Sequence, residues 1–405
     1  MSCKPQIGVV LINYNRPLIE RCFKSVINQS YKNLVITLVD NSDDPKILNL
    51  YEKLGLINSM DKTKITNGKY DRFYIKESKI NGITTYFIKS KENLLCKAYY
   101  EGTKFLLKNT DVDAITYCDD DGYFEENTIK NLIEFYSVGD VLTTIKLLIN
   151  TKTYQGLGYI EANEHIYFPL KELREKITPP AIKKISFSPP QGLLVKRPLF
   201  EKENIYLGME DIFYCEDVDF CYRLNLKKIP IYLISKSAIF HPKYLIDNIY
   251  ILKKILIARY HDLFYRKYFN YPEEYKNKIS EICRKLYVKS LKKRYNFPED
   301  SNLIYDYIFN KPYKELVSFI KSRVRAIYNA KINFKEKFIP LGEDTVHIED
   351  TQKIKANFSY DEILDIILNT KVKLLINGSY TYFIRFLGYS HQMGVLEDVL
   401  QKIEI

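Results

Sequence analysis

Residues Ile7 to Asp40, IGVVLINYNRPLIERCFKSVINQSYKNLVITLVD, decide the fold. The first segment, Ile7 to Tyr14, is a near-continuous apolar run, as expected of a strand covered on both faces. A helical pattern follows, with Leu18, Cys22, Val26 and Ile27 on one face and Pro17 suited to a first helical turn. Leu34 to Asp40 is strand-like again and ends at the turn-rich NSDDP. Strand, helix and strand in that order form a βαβ unit, which predicts a parallel sheet.

Outward from this unit, the rhythm pauses and returns. From about Tyr51 to Lys91 the chain reads as an insertion carrying a small hairpin, with NGK and NGI turns at Asn67 and Asn81. LLCKAYYEGTKFLLKN then reads as helix, DAITYC as strand and ENTIKNLIEFY as helix. Open parallel sheets bind ligands outside the carboxyl ends of their strands. Asp40 ends one predicted strand and Asp119, Asp120 and Asp121 end another, so these carboxylates are expected to share one crevice.

Closely spaced carboxylates are hard oxygen ligands suited to Mg²⁺ or Mn²⁺, and such an ion commonly shares its coordination with substrate phosphates. The competing reading is a solvated acidic turn that caps the helix starting near Glu125.

Composition bounds the rest. With 405 residues, 46% of them hydrophobic and 27% charged, the chain is globular and long enough for two domains. Its net charge of +11 favours polyanionic partners without choosing among them. Seven scattered cysteines with no C-x-x-C pair indicate neither a zinc site nor a disulfide framework, so a reducing cytoplasm fits. The N-terminus lacks a signal-peptide pattern, and the apolar run YILKKILIA is too short to span a bilayer.

Four motifs occur in order: VVLINYNRP, VDNSDD, TYCDDDGYF and YCEDVDFCYRL. Together they resemble the inverting nucleotide-sugar glycosyltransferases of the GT-A fold, family 2 type, especially bacterial rhamnosyl- and galactofuranosyl-transferase-like members. The likeness covers about Ile7 to Tyr244. It implies an α/β, Rossmann-like nucleotide-sugar-binding domain over residues 1–244, interrupted by the 51–91 insertion, and leaves 245–405 as a mainly helical C-terminal region. By the same resemblance, Asn13, Tyr14, Asn15 and Arg16 line the nucleotide pocket, and Asp40 contacts the base or ribose. Asp119 and Asp121 hold Mn²⁺ or Mg²⁺ and, through it, the donor diphosphate, with Asp120 among the donor-binding residues. His241 completes the metal or diphosphate site, and Asp217 is the catalytic base. The implied donor is a UDP- or dTDP-sugar, and the implied acceptor is a growing cell-surface glycan or a lipid-linked glycan.

The chemistry asks for these residue types. A departing nucleoside diphosphate develops charge on its phosphate oxygens, which a divalent cation stabilises. The acceptor hydroxyl needs a proton acceptor on the opposite face of the anomeric carbon, and a carboxylate serves.

Each assignment has a plainer competitor. Glu216, Asp217 and Asp219 open a helix, where acidic residues favour the helix dipole regardless of catalysis. Asp219 and Arg223 have the i,i+4 spacing of an ion pair, so Asp219 is expected to support its helix. His241 also reads as a structural histidine, Asp40 as the start of an Asx-turn and Arg16 as a surface residue. One departure from the family is the absence of a glycine-rich segment at KENLLCKAYYEG, where Gly102 comes later, inside the helix.

Leu245 to Tyr295 carries thirteen Lys and Arg against five Asp and Glu, interleaved with aromatic and aliphatic residues. It reads as basic helices that either lie peripherally on the anionic inner face of a plasma membrane or pack on the protein. Beyond it, DEILDIILN is a helical pattern and VKLLING a strand, and packing, acceptor binding and homo-oligomer formation are all open roles for this region. Two rival functions remain. A nucleotidyltransferase would also place aspartates at a strand end, but it wants a Gly- and Arg/Lys-rich loop where this chain has NYNRP. A nucleic-acid-binding protein would use the basic helices, but no such module is recognised and an acidic crevice opposes it.

Overall fold

A computed structural model describes residues 4–148 apart from 43, 93 and 95, then 157–160, 170–172, 181–209 and 216–241. It also describes 267–268, 272–295, 301–311, 315, 318, 345–348, 368, 374–377, 390 and 393–402. The chain divides into two compact units, one of residues 1–160 and 170–244, the other of 161–169 and 245–405.

The first unit is α/β. Its strands are β1 (Ile7–Asn13), β2 (Leu34–Asp40), β3 (Phe73–Ile80), β4 (Ile83–Ser90), β5 (Ala114–Asp119), β6 (Tyr123–Phe124), β7 (Val141–Leu148), β8 (Gly158–Ile160), β9 (Leu170–Glu172), β10 (Ile182–Ile185), β11 (Leu194–Lys196) and β12 (Ile231–His241). Its helices are α1 (Ile19–Ile27), α2 (Pro45–Lys53), α3 (Ser59–Thr66), α4 (Lys97–Asn109), α5 (Thr128–Glu134), α6 (Arg197–Glu203) and α7 (Glu216–Leu226). One sheet runs β10-β12-β7-β11-β5-β1-β2-β4-β3, with β6 added against β12. Its heart, β5-β1-β2-β4, is parallel throughout.

The predicted βαβ unit is present. β2 is buried along its whole length and β1 along nearly all of it, because α1 packs on β1 and β5 while α4 packs on β1 and β2. Leu18, expected on the buried face of α1, is 45% exposed. The helix begins at Ile19 rather than Pro17, so the inward stripe is Ile19, Cys22, Phe23, Val26 and Ile27. Gly102 explains how close α4 comes, since a Cβ there would lie 2.7 Å from Val10 Cγ1 and 3.1 Å from Val39 Cγ2.

The segment 51–91 does carry a hairpin, β3 and β4, turned by Asn81 and Gly82, both at positive φ as such turns require. The hairpin is also part of the main sheet, because β4 pairs in parallel with β2 and so completes a further crossover.

In this order the chain leaves β1 toward β2 on one side and returns as β5 on the other. That reversal, the switch point, opens a crevice at the carboxyl ends of β1 and β5. Register places Asn13 beside Asp40, and Ile12 beside Asp119, at that rim.

In the second unit, helix Glu273–Tyr295 contacts helix Ser301–Phe309. Ile279, Ile282 and Val288 of the first and Ile304 and Ile308 of the second are buried. Arg284 stands 5.1 Å from the Phe309 ring. The predicted strand in VKLLING is found as Leu374–Asn377, paired with Thr345–Ile348. The first part of the basic run, residues 245–266, and nearly all of DEILDIILN lie outside the described residues. Among the described residues no helix is long and apolar enough to cross a membrane.

Candidate active site

The acidic triplet turns at the end of β5, where the Gly122 amide donates to the Asp119 carbonyl (3.3 Å). β6 comes next in the chain and pairs with β12, Phe124 with Ile239 and Tyr123 with Phe240. This pairing brings His241, the last residue of β12, to the triplet. His241 Nε2 lies 3.1 Å from Asp121 Oδ1, and ligand atoms of Asp119, Asp121 and His241 all fall within 4.8 Å of one another. Tyr123 stacks on Phe240 at 4.9 Å, and the Arg21 guanidinium lies 3.4 Å from the centre of the Tyr123 ring, which fixes the wall beside the cluster.

Each aspartate has its own surroundings. Asp119 Oδ2 accepts from the Gln191 amide, while its buried Oδ1 has no hydrogen-bond partner among the described residues. Burial, then the charges of Asp121 and Asp120, push its carboxyl up to about 7, against the pull of His241 and Gln191. Asp121 Oδ2 is paired with Arg16. Asp120 Oδ1 lies 3.4 Å from the same Arg16 nitrogen, and its Oδ2 accepts from the Tyr14 amide at 3.1 Å. Arg16, read from sequence as either a pocket residue or a surface one, therefore braces the triplet.

A buried carboxylate oxygen lacking a donor is costly unless something else satisfies it. Two carboxylates and an imidazole are donors that Mn²⁺ accepts readily, and the carboxylates suit Mg²⁺. The residues present fit such an ion.

The loop after β1 is locked to the loop after β2. Asn13 donates to Tyr51 Oη (2.6 Å) and Ser42 Oγ (3.3 Å), and its Oδ1 accepts from the Arg16 amide (3.3 Å). Asn15 sits at φ 57°, its amide donating to Ser42 Oγ (2.9 Å) and its Oδ1 accepting from Asp44 N (2.9 Å). Tyr14 is left exposed at the rim. Asp40, expected at the base or ribose, is fully buried instead. Its Oδ1 accepts from Ser42 Oγ (2.6 Å), the Ser42 amide (3.3 Å) and Tyr51 Oη (2.7 Å), and Lys89 Nζ lies 3.1 Å from Oδ2. In this structure Asp40 makes the Asx-turn and holds the loop.

Asp217 and Glu216 open α7, and Asp217 Oδ1 accepts from the Val218 amide at 2.8 Å. Burial, then the Glu216 charge, raise the Asp217 carboxyl to about 7, while backbone N–H groups and Lys146 pull it back. Glu216 Oε2 accepts from the Cys96 thiol at 2.9 Å. Asp219 is 2% exposed and paired with Arg223 at 2.8 Å, as its spacing predicted.

Two residues went unread in the sequence, Gln191 and Lys146. Gln191 reaches Asp119 because Gly192, at φ 69°, turns the chain where a Cβ would lie 2.4 Å from Thr144 Oγ1. PPQG was the only signal for it.

No protein-family model matches the sequence, and no curated protein matches it. Among solved structures the chain is similar to S. aureus TarS. Against TarS 1–349 in complex with UDP-GlcNAc the TM-score is 0.43 at 13% identity, over 98% of this chain and 89% of that one. Against TarS 1–349 without that ligand they are 0.41 and 14%, over 80% and 92%. Against a longer TarS chain they are 0.40 and 15%, and this chain spans 54% of that length. A likeness of this degree speaks to neither substrate nor mechanism.

Proposed function

We propose that the chain is a metal-dependent, inverting glycosyltransferase that moves a sugar from a nucleoside diphosphate donor to a cell-surface glycan acceptor. The observation that carries this reading is the convergence of Asp119, Asp121 and His241 at the switch-point rim, with Asp119 Oδ1 left for a ligand. Those three residues would hold Mn²⁺ or Mg²⁺, which when bound neutralises charge on the donor diphosphate. Asn13, Asn15 and Arg16 order the loop beside it, with Tyr14 at the exposed rim of the nucleotide pocket and Asp40 acting through that loop. Asp217 takes the proton of the acceptor hydroxyl, since a carboxyl held near 7 is about half ionised at neutral pH and is more basic than an ordinary carboxylate. Lys146 interacts electrostatically with both Asp217 and Asp119, which supports placing base and metal cluster in one neighbourhood. The basic run 245–295 suits an anionic, lipid-linked acceptor at a membrane face.

Thermal denaturation with UDP- and dTDP-sugars tests the donor reading. At a hundredfold excess over Kd a ligand adds about 2.7 kcal/mol, so Tm should rise by about 5–10 °C. The rise should require Mn²⁺ or Mg²⁺ and vanish with EDTA. No shift with any nucleotide sugar in the presence of Mn²⁺ would reject the function.

A further inference from the structure

Lys146 lies on β7, opposite Ile239 of β12, and is 2% exposed. Its ammonium donates to Ser188 Oγ (2.8 Å) and Thr143 Oγ1 (3.2 Å), and those hydroxyls are 2.7 Å apart. No carboxylate forms an ion pair with it among the described residues. Taking a lone ammonium into such a place costs several kcal/mol, and a methionine or leucine would fill the same strand position at none of that cost. The fold alone gives no reason for the charge.

Its surroundings do. The titratable groups whose charge acts on Lys146 include Cys221 and Asp217 from α7 and Cys118 and Asp119 from β5. The hydroxyl that holds its ammonium belongs to Ser188, whose amide donates to Cys221 Sγ at 3.5 Å. Cys221 stands one helical turn beyond Asp217 on α7. A continuous set of contacts therefore runs from the ammonium through Ser188 to the helix that carries Asp217.

We propose that Lys146 is a positioning residue: docked through Ser188 on Cys221, one helical turn from Asp217 on α7, it keeps a cation beside that turn of the helix and thereby sets the pH range over which Asp217 accepts a proton. This rests on the reading of Asp217 as the base. The charges set the sign. Burial and Glu216 hold the Asp217 proton on, and Lys146 is the cation that opposes them. Burial in turn lowers Lys146 itself to about 7, offset by Cys221, Asp217, Cys118 and Asp119, so the charge is fully present on the acidic side, where Asp217 most needs help to ionise. Removing the cation raises the pH at which Asp217 ionises.

Lys146→Met keeps the length of the side chain and deletes the charge. The variant should melt at or above the temperature of the unaltered protein, because a desolvated cation is gone. Its Asp217 carboxyl, followed by ¹³C NMR and assigned by its loss in Asp217→Asn, should titrate about one pH unit higher. Turnover at pH 6 should fall roughly tenfold with KM for the donor within about twofold, and the acidic limb of the pH profile should move up by the same interval. Lys146→Gln, which can still bond to Ser188 and Thr143 without a charge, makes the same comparison if methionine is poorly tolerated. An unchanged Asp217 titration in both variants overturns the proposal whether or not sugar is transferred. A raised titration in a protein whose unaltered form transfers no sugar supports the coupling and rejects only the functional reading beneath it.

Discussion

Asp217 and Asp219 stand two residues apart on α7 and do different work. Asp219 is locked to Arg223, whose guanidinium also donates to the Tyr206 carbonyl at 2.6 Å, so the pair fixes the loop after α6 to the helix. Asp219→Asn leaves a buried guanidinium without its counter-charge and should destabilise by about 3 kcal/mol in urea denaturation. Asp217→Asn retains size and the Val218 hydrogen bond, so melting temperature and donor affinity should hardly move while turnover falls roughly a hundredfold or more. If the chain transfers sugar as proposed, turnover of the unaltered protein should climb as pH rises through about 7, where the Asp217 carboxyl loses its proton. A fully active Asp217→Asn beside a stable but dead Asp219→Asn would move the base to the other residue. The two aspartates were separable in the sequence only because i,i+4 spacing names a partner for one of them. Lys146 and Gln191 had no such signal, since their partners come from strands and turns far away in the chain.

At the scale of elements, the cluster depends on an irregularity in β12. Pairing with β7 runs Ile234 to Thr144 and resumes Ala238 to Ile145, so Ser235, Lys236 and Ser237 have no opposite number. This bulge is stitched to α5, the helix that comes after the acidic turn. Ser237 Oγ donates to the Thr128 carbonyl (2.9 Å), Thr128 Oγ1 to the Ala238 carbonyl (2.6 Å), and Asn131 Nδ2 to the Lys236 carbonyl (2.9 Å). A bulge re-aims the side chains downstream of it, and His241 is one of those side chains. Deleting Lys236 would slip the strand by one residue and turn the imidazole to the other face. Thr128→Val is the milder test. It should cost about 1 kcal/mol by denaturant titration and weaken Mn²⁺ binding by calorimetry, because Asp121 and His241 are held together through this seam. Unaltered metal affinity in a clearly destabilised Thr128→Val would separate the seam from the site. The sequence showed a strand ending at His241, but IYLISKSAIF carries no mark of where the extra residues fall.

For the whole molecule, the parallel heart of the sheet was legible because β1, β2 and β5 are apolar runs of six or seven residues that end in polar groups. The remainder was not. β4 alternates enough to look half-exposed, and β11 is three residues long, too short for any periodicity. Yet β11 sits between β5 and β7, antiparallel to both. That placement matters on the ribosome. Residues 7–119 can assemble β1, β2, β4 and β5 as soon as they emerge, but the outer edge of β5 then has no neighbour until Leu194–Lys196 appear. At a synthesis rate of about 5–20 residues per second, the roughly 75 intervening residues leave that apolar edge bare for about 4–15 s. An unpaired, buried-type edge is a template for pairing with another nascent chain on the same message. Arrested nascent chains ending near residue 190 should therefore be more readily digested by protease and more strongly held by chaperones than chains ending near residue 250. Equal protection at the two lengths would mean that some earlier segment shields the edge. Slower translation across residues 120–196 should lower the yield of folded protein, and co-expressed holdase chaperones should restore it.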